Sequence, residues 1–519
     1  MTEKTLLAID NGTQSLRAIL FDMQGQIVGK AQIPLDYYSD HPGWSEQDPQ
    51  VFWNSLCRAC HKLAQQSNVD LSSIQAVSVT TLRNTVINLD NNGEPLRPAI
   101  IWTDQRELKS IKPLTGIWPY LFKLVGVSDT IKNFQSRCQA AWIAHHQPDI
   151  WRKTDKYLMM SGYLNYKLTG EFKDSTASQV GYIPFDYKHH QWEKPNSWKW
   201  QIAPIELNML PELVKPGELI GHISQGATEA TGLPPGLPVI ASGADKATEV
   251  LGSGCIEDHQ ACLSYGTTAT INVTSQRYIE PLRFIPPYPS TVADAYTIEY
   301  QIYRGYWMVS WFKEQFGHRE QDLSVEMGVS AEQLLDEAIS KIPPGSDGLM
   351  LQPYWSPGVK VPGPEARGAI IGFHDGHTRA HVYRAILEGI AYGLRDGKES
   401  IQLRTKHPID ELMVSGGGSQ SDVAMQLTAD IFNLPATRPH TYETSALGAA
   451  INAAVGIGLY ANYQDAVETM CHKGETFQPI PANVERYQEL YEKVYKKMYQ
   501  RLKPIYQSLR KMGKFSSKA

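Results

Sequence analysis

The run Leu6-Leu7-Ala8-Ile9-Asp10-Asn11-Gly12-Thr13-Gln14-Ser15 decides how this chain is read. Four apolar residues ending in an acid form a strand, Asn11-Gly12-Thr13 has turn chemistry, and Arg17 to Asp22 is apolar again. Met23-Gln24-Gly25-Gln26 then turns the chain into a third segment, Ile27 to Ile33. Related patterns return twice. Ala76 to Thr80 and Thr85 to Asp90 flank Leu82-Arg83-Asn84, with Asn91-Asn92-Gly93 following. Ala261 to Tyr265 leads through Gly266-Thr267-Thr268 into Ala269 to Val273. A Gly-Thr pair therefore stands at a strand-to-strand turn in two places about 250 residues apart.

Working outward, Gln139 to His146 and Tyr157 to Leu168 read as helices, and strands alternating with helices predict an α/β architecture. Leu233-Pro234-Pro235-Gly236-Leu237-Pro238 is a loop before a buried strand at Val239 to Ala241. In Val484 to Met512, Tyr487, Tyr491, Tyr495 and Tyr499 recur every fourth residue, which predicts one buried helix face. Lys514 to Ala519 reads as a frayed basic tail. At 519 residues the chain exceeds one ordinary core, so two domains are expected, residues 1–252 and 253–519, although no linker composition marks the boundary.

Composition narrows the function classes. Hydrophobic residues make up 42%, charged residues 20%, and the net charge is −5, so no basic field argues for nucleic acid or an anionic membrane. No apolar run approaches the roughly 20 residues of a membrane span, and the N-terminal apolar run is too short for a signal peptide, which predicts a cytoplasmic protein. Six cysteines make no disulfide framework in a chain this long. Cys57-Arg58-Ala59-Cys60-His61 matches the haem-attachment spacing. Against haem, Asp48 can cap a helix with Pro49 at its first position, and Phe52, Leu56, Cys60 and Leu63 recur at helical steps. Cys60 is expected in the core.

Four segments carry chemistry. Asn11-Gly12-Thr13-Gln14-Ser15 and Gly266-Thr267-Thr268 can aim backbone N–H groups and hydroxyls at a polyanion, and neither follows the Walker pattern. Asp10 could hold a magnesium ion through water or simply cap the turn. Val414-Ser415-Gly416-Gly417-Gly418-Ser419 follows an apolar strand and permits close approach to a bulky ligand or a flexible connection. In Gly243-Ala244-Asp245-Lys246-Ala247, Asp245 lies just past a strand end, where open α/β sheets place ligands. A carboxylate there can take the proton of an attacking hydroxyl, or cap a helix.

Taken together, these residues resemble the FGGY family of carbohydrate kinases over nearly the whole chain. Asp10-Asn11-Gly12-Thr13 with Arg17 is similar to its first phosphate motif. Gly43-Trp44-Ser45-Glu46-Gln47-Asp48-Pro49 with Trp53, and Trp102-Thr103-Asp104-Gln105-Arg106, resemble its sugar-domain signatures. Tyr163 to Glu171 with Asp174, Ser175 and Ser178, then Gly368 to Phe373 leading to His381–Glu388, follow in order, with Phe373 where a smaller aliphatic residue is usual. Ser415 to Asp422 and Ala446 to Ala450 complete the series.

The resemblance implies two ribonuclease-H-like domains of the actin and hexokinase type flanking a central cleft, with ATP and Mg2+ as cofactors. It implies Asp245 as catalytic base, and phosphate or metal contacts from Asp10, Gly12, Thr13, Gln14 and Arg17. Gly266 and Thr267 would embrace the phosphates, and Gly417 and Ser421 would face the adenosine. The sugar pocket implied is Arg83, Asn84, Trp102, Asp104, Phe134, Asp245 and Lys246, with Gln135 beside it. A sugar or polyol is the expected partner, with a homodimer left open.

Four residues depart from the family pattern. Asn84 and Phe134 replace a carboxylate and a phenol of the family's glycerol kinases, which favours a pentulose-type substrate. Lys246 stands where a neutral amide is common; it could lower the Asp245 pKa, bind an acidic substrate such as an aldonate, or face solvent. Tyr306 replaces a glycine of many relatives, which leaves its ribose-side contact open. Two other readings compete: a conformational ATPase of the actin and chaperone type, and an idle sugar-binding relative. The Trp44–Trp53 and Trp102–Arg106 elements argue against the first, and Asp245 against the second.

Overall fold

The computed structural model describes residues 4–37, 41–358 and 362–512. The opening stretch forms strands Thr5–Asn11, Ser15–Asp22 and Ile27–Pro34, joined as antiparallel neighbours. Thr5–Asn11 also pairs in parallel with Ile74–Thr81, which pairs in parallel with Pro238–Ile240; Leu219–His222 closes the edge. Thr5–Asn11 is buried on both faces, and its alternation is visible in the packing. Leu7 and Ile9 join one core with helix Pro49–Ala64, while Leu6 and Ala8 join another with Ala446, Leu447 and Ala450.

A second sheet repeats the plan. Gln260–Tyr265, Ala269–Ser275 and Tyr296–Ile302 are antiparallel neighbours, and Gln260–Tyr265 continues in parallel to Glu411–Ser415 and Ala436–Pro439. In both sheets the first strand of the unit lies at the centre, with a hairpin on one side and parallel strands on the other. Two α/β units of the same topology agree with the expected ribonuclease-H-like pair.

The units are not insulated from each other. Helix Thr444–Gly456 packs on helix Asp245–Gly252 and covers one face of the first sheet. The approach is backbone to backbone: a Cβ on Gly252 would stand 1.9 Å from the Thr444 carbonyl oxygen, and one on Gly448 2.0 Å from that of Thr248.

Two sequence expectations need correction. Residues 76–90 do not form a hairpin like the other two, because Val86–Leu89 leaves the first sheet and pairs with Lys156–Met159 in a small separate sheet. The predicted helix from Tyr157 therefore begins as a strand and becomes helical only over Met160–Thr169. Short apolar runs of this kind do not distinguish strand from helix. Gln139–His146 is helical, and Asp48 caps Pro49–Ala64 by accepting from the Gln50 N–H, with Cys60 in the core. The tyrosine stripe is buried as expected. Its helix runs from Pro481 to Met512 through a π turn at Tyr491–Tyr495, with Tyr487 donating to Glu388 at 2.8 Å and Tyr499 to Glu365 at 2.6 Å. The tail at 514–519 lies outside the described residues. Among the described residues, no helix is long and apolar enough to cross a membrane.

Candidate active site

Parallel strands Thr5–Asn11 and Ile74–Thr81 end side by side, and Ala244 bridges to Thr81 just beyond them. Asp245 is therefore placed at the carboxyl edge of the sheet, where the chain changes direction between strands. It opens helix Asp245–Gly252 as the first helical residue, after Ala244 as N-cap, and its Oδ1 accepts from the Lys246 N–H at 2.8 Å. Burial raises its pKa, while Lys246 and Arg83 pull it down. A carboxylate made more basic than usual is suited to accepting a proton.

Asp10 is the penultimate residue of the neighbouring strand, buried, with Arg17 Nη2 2.8 Å away across the hairpin. Its carboxyl is pushed up to about 6, chiefly by burial, with Arg17 opposing and Asp245 adding to the rise. Arg17 also donates to Glu443 at 2.7 Å, so the first hairpin is tied to the residue that precedes helix Thr444–Gly456. Gly12 N–H bonds the Ser15 carbonyl at 3.1 Å and shapes the turn, with Gln14 anchoring Leu35 through its carbonyl. The Thr13 hydroxyl accepts from Trp102 Nε1 at 3.0 Å, which joins the phosphate turn to the expected sugar wall.

From the second sheet, the Gly266 and Thr267 carbonyls accept from the Tyr306 and Trp307 N–H groups. Tyr306 stacks on Tyr265 with ring centroids 4.7 Å apart. The triple glycine resolves into three different demands. Gly416 is left-handed at φ 82° and lies against the Tyr265 backbone, Gly418 lies against the Tyr306 ring, and Gly417 alone faces open space. Ser421 caps helix Asp422–Phe432 by accepting from the Ala424 N–H and also hydrogen-bonds Asp336.

Lys246 points inward, its side chain 23% exposed. Its Nζ lies 2.8 Å from Glu249 Oε2 and 2.5 Å from Ser264 Oγ, one turn along its own helix and across to the second sheet. A Cβ on Gly266 would come within 4.0 Å of that Nζ, so the lysine sits beside the second Gly-Thr turn. Arg83 likewise reaches the second sheet, bonding both oxygens of Glu299 and lying 4.6 Å over the Tyr288 ring. Asn84 holds a left-handed conformation at φ 51°, with its Oδ1 buried and unpaired beside Gly181.

The other expected pocket residues divide. Phe134 packs edge-on to Tyr182, and Gln135 donates to the Lys112 carbonyl at 2.9 Å. Asp104 is taken up by its own turn. Oδ1 accepts from the Arg106 N–H and Nε, and Oδ2 from Arg106 Nη2 and the Ser45 N–H. Its role here is to hold Arg106, whose guanidinium lies 4.0 Å from the Trp44 ring centre and 4.6 Å from that of Trp142.

Sequence reading missed Glu249, Glu299 and Glu443. Glu249 could have been found, because it stands four residues after Asp245 on a helix whose start was legible. Glu299 and Glu443 meet their partners only through tertiary packing across hundreds of residues, and nothing local marks them.

Comparison with known proteins bears directly on this arrangement. The N-terminal domain model of the FGGY family of carbohydrate kinases matches residues 5–252, and the C-terminal domain model of that family matches 261–457. An uncharacterized sugar kinase of Escherichia coli is 32% identical over 94% of this chain and 92% of its own length. A xylulose kinase of Staphylococcus epidermidis is 29% identical over 94% and 95%. The crystal structure of xylulose kinase from Rhodospirillum rubrum superimposes with a TM-score of 0.78 at 26% identity, covering 97% of this chain and 100% of that one. With both of the family's domain models matched, over residues 5–252 and 261–457, the chain belongs to the FGGY family of carbohydrate kinases.

Proposed function

We propose that the enzyme transfers the γ-phosphoryl group of ATP to a hydroxyl of a pentulose-type ketose or related polyol, with Asp245 as general base. The observation that carries this reading is the position of Asp245: past the end of a parallel strand, close enough to Asp10 and Arg83 for their charges to act on it. In the step, Asp245 accepts the hydroxyl proton as that oxygen forms its bond to the γ-phosphorus. The bond from the γ-phosphorus to the bridging oxygen breaks, and ADP leaves. Gly12, Thr13, Gln14 and Arg17 would face the phosphates from one side and Gly266 and Thr267 from the other, with Gly417 and Ser421 toward the adenosine.

Asp10 is an oxygen donor of the kind Mg2+ prefers and would hold the ion through water, with Arg17 2.8 Å away. Bound with ATP, the ion would neutralise charge on the β- and γ-phosphates. Residues 1–252 and 253–519 are taken as the two lobes whose approach excludes water. The xylulose kinases among the relatives support a pentulose acceptor. Asn84 and Phe134 in place of a carboxylate and a phenol argue against glycerol. A cytoplasmic location and a homodimer complete the reading; fractionation and sedimentation check them.

The test is ADP release across a panel of ketoses and polyols. Turnover that rises with one sugar and falls by about 10²–10⁴ in Asp245→Asn is expected. Sugar-independent turnover unchanged by that substitution would instead indicate a conformational ATPase.

A further inference from the structure

The cations acting on Asp245 are Lys246 and Arg83, and each is already matched by a buried carboxylate. Lys246 is held by Glu249 at 2.8 Å. Arg83 is held by Glu299, from strand Tyr296–Ile302 of the second sheet, in two hydrogen bonds of 2.9 and 3.1 Å; the Glu299 side chain is 3% exposed. Counting these two pairs and Asp245, two positive charges stand among three negative ones, and the neighbouring Asp10 is likewise paired, with Arg17. A ligand carboxylate entering beside Asp245 would add an anion where both cations are spent, in a partly desolvated space where an unmatched charge is costly.

Neutral hydroxyls meet a different surface. Arg83 Nε is a buried donor with no partner, and Asn84 Oδ1 is a buried acceptor with no partner. Being uncharged, a C–OH group able both to give and to take a hydrogen bond avoids the cost that an extra carboxylate would meet here.

We propose that Glu299 is a specificity-determining residue: by neutralising Arg83 it makes the pocket select uncharged polyhydroxy substrates and reject sugar acids. The proposal rests on the kinase reading above. It also assigns Lys246 to the junction with Glu249 and Ser264, not to an aldonate. Because Glu299 comes from the second sheet, the filter is complete only where the two halves meet.

The experiment compares wild type, Glu299→Gln and Glu299→Gln/Arg83→Gln, with xylulose and gluconate as probes. For wild type, gluconate should be turned over with a kcat/KM far below that of xylulose and should not inhibit xylulose turnover at micromolar concentration. Glu299→Gln should raise the gluconate-to-xylulose ratio of kcat/KM at least tenfold, mainly through KM, since the freed guanidinium can then pair with a carboxylate. The double variant should lose that gain. An unchanged ratio in Glu299→Gln overturns the proposal. Micromolar competitive inhibition of wild type by gluconate also overturns it, whether or not the variants fold. Wild-type turnover of xylulose with either of those results leaves the kinase reading standing. No sugar-dependent turnover in wild type overturns both.

Discussion

Replacing Gly448 with alanine should disable the enzyme from a position that touches no substrate. The added Cβ would lie 2.0 Å from the Thr248 carbonyl oxygen and 2.7 Å from its carbon, and both are backbone atoms that cannot rotate away. Restoring an ordinary contact of 3.4 Å requires helix Asp245–Gly252 and helix Thr444–Gly456 to separate by about 1.4 Å. Asp245 is the first residue of the displaced helix. Overpacking of this kind costs about 1–3 kcal/mol of stability. A shift of about 1 Å at a reacting group costs on the order of 10² in rate. The assay is kcat by ADP release with the best sugar, alongside a urea unfolding curve. Gly226→Ala is the control, because Gly226 also lies in a helix but has open space around it. A Gly448→Ala enzyme with kcat within twofold of wild type and an unchanged urea midpoint would refute the reasoning.

Further consequences can be checked the same way. Lys246→Met leaves Glu249 buried beside Ser415 without its cation; the loss should be about 2–3 kcal/mol, below the roughly 3–5 kcal/mol for a fully buried pair because Lys246 is partly exposed, read from chemical denaturation. Arg106→Lys gives up a fork to Asp104 and a stack between Trp44 and Trp142, and should cost about 2–3 kcal/mol while leaving the KM for ATP unchanged. Asp10 gives a pH signature with opposite signs for stability and function. Its folded pKa of about 6 lies above the ordinary 3.8, so its contribution to stability is complete below 3.8 and is lost as pH rises through 6. Only the ionised form attracts Mg2+, so the KM for Mg-ATP should climb as pH falls below about 6; a flat KM from pH 8 to 5 would exclude Asp10 from the metal site.

The hairpins were legible because turn residues and apolar runs are local signals, and Thr5–Asp22 and Gln260–Ser275 form as their residues dictate. Asp245 was placed correctly relative to its strand for the same reason, although it opens the helix instead of capping it. Residues 76–90 misled because the pattern of apolar runs does not say which strand each will pair with; tertiary partners drew Val86–Leu89 to Lys156–Met159. Lys246 could not be resolved from sequence, since its direction is set by Glu249 and Ser264, and Ser264 arrives on another sheet. Asp104 looked like a sugar ligand by position, yet Arg106 two residues later absorbs it.

The helix at 444–456 also bears on how the protein is made. Strand Thr5–Asn11 leaves the ribosome well before its cover, because the alanines that pack on one of its faces are synthesised about 430 residues later. At roughly 5–20 residues per second, that face waits on the order of tens of seconds for its cover. The nascent first half must carry an exposed apolar surface for that interval, which makes it a natural client for chaperones. It also makes residues 1–252, expressed alone, prone to aggregate.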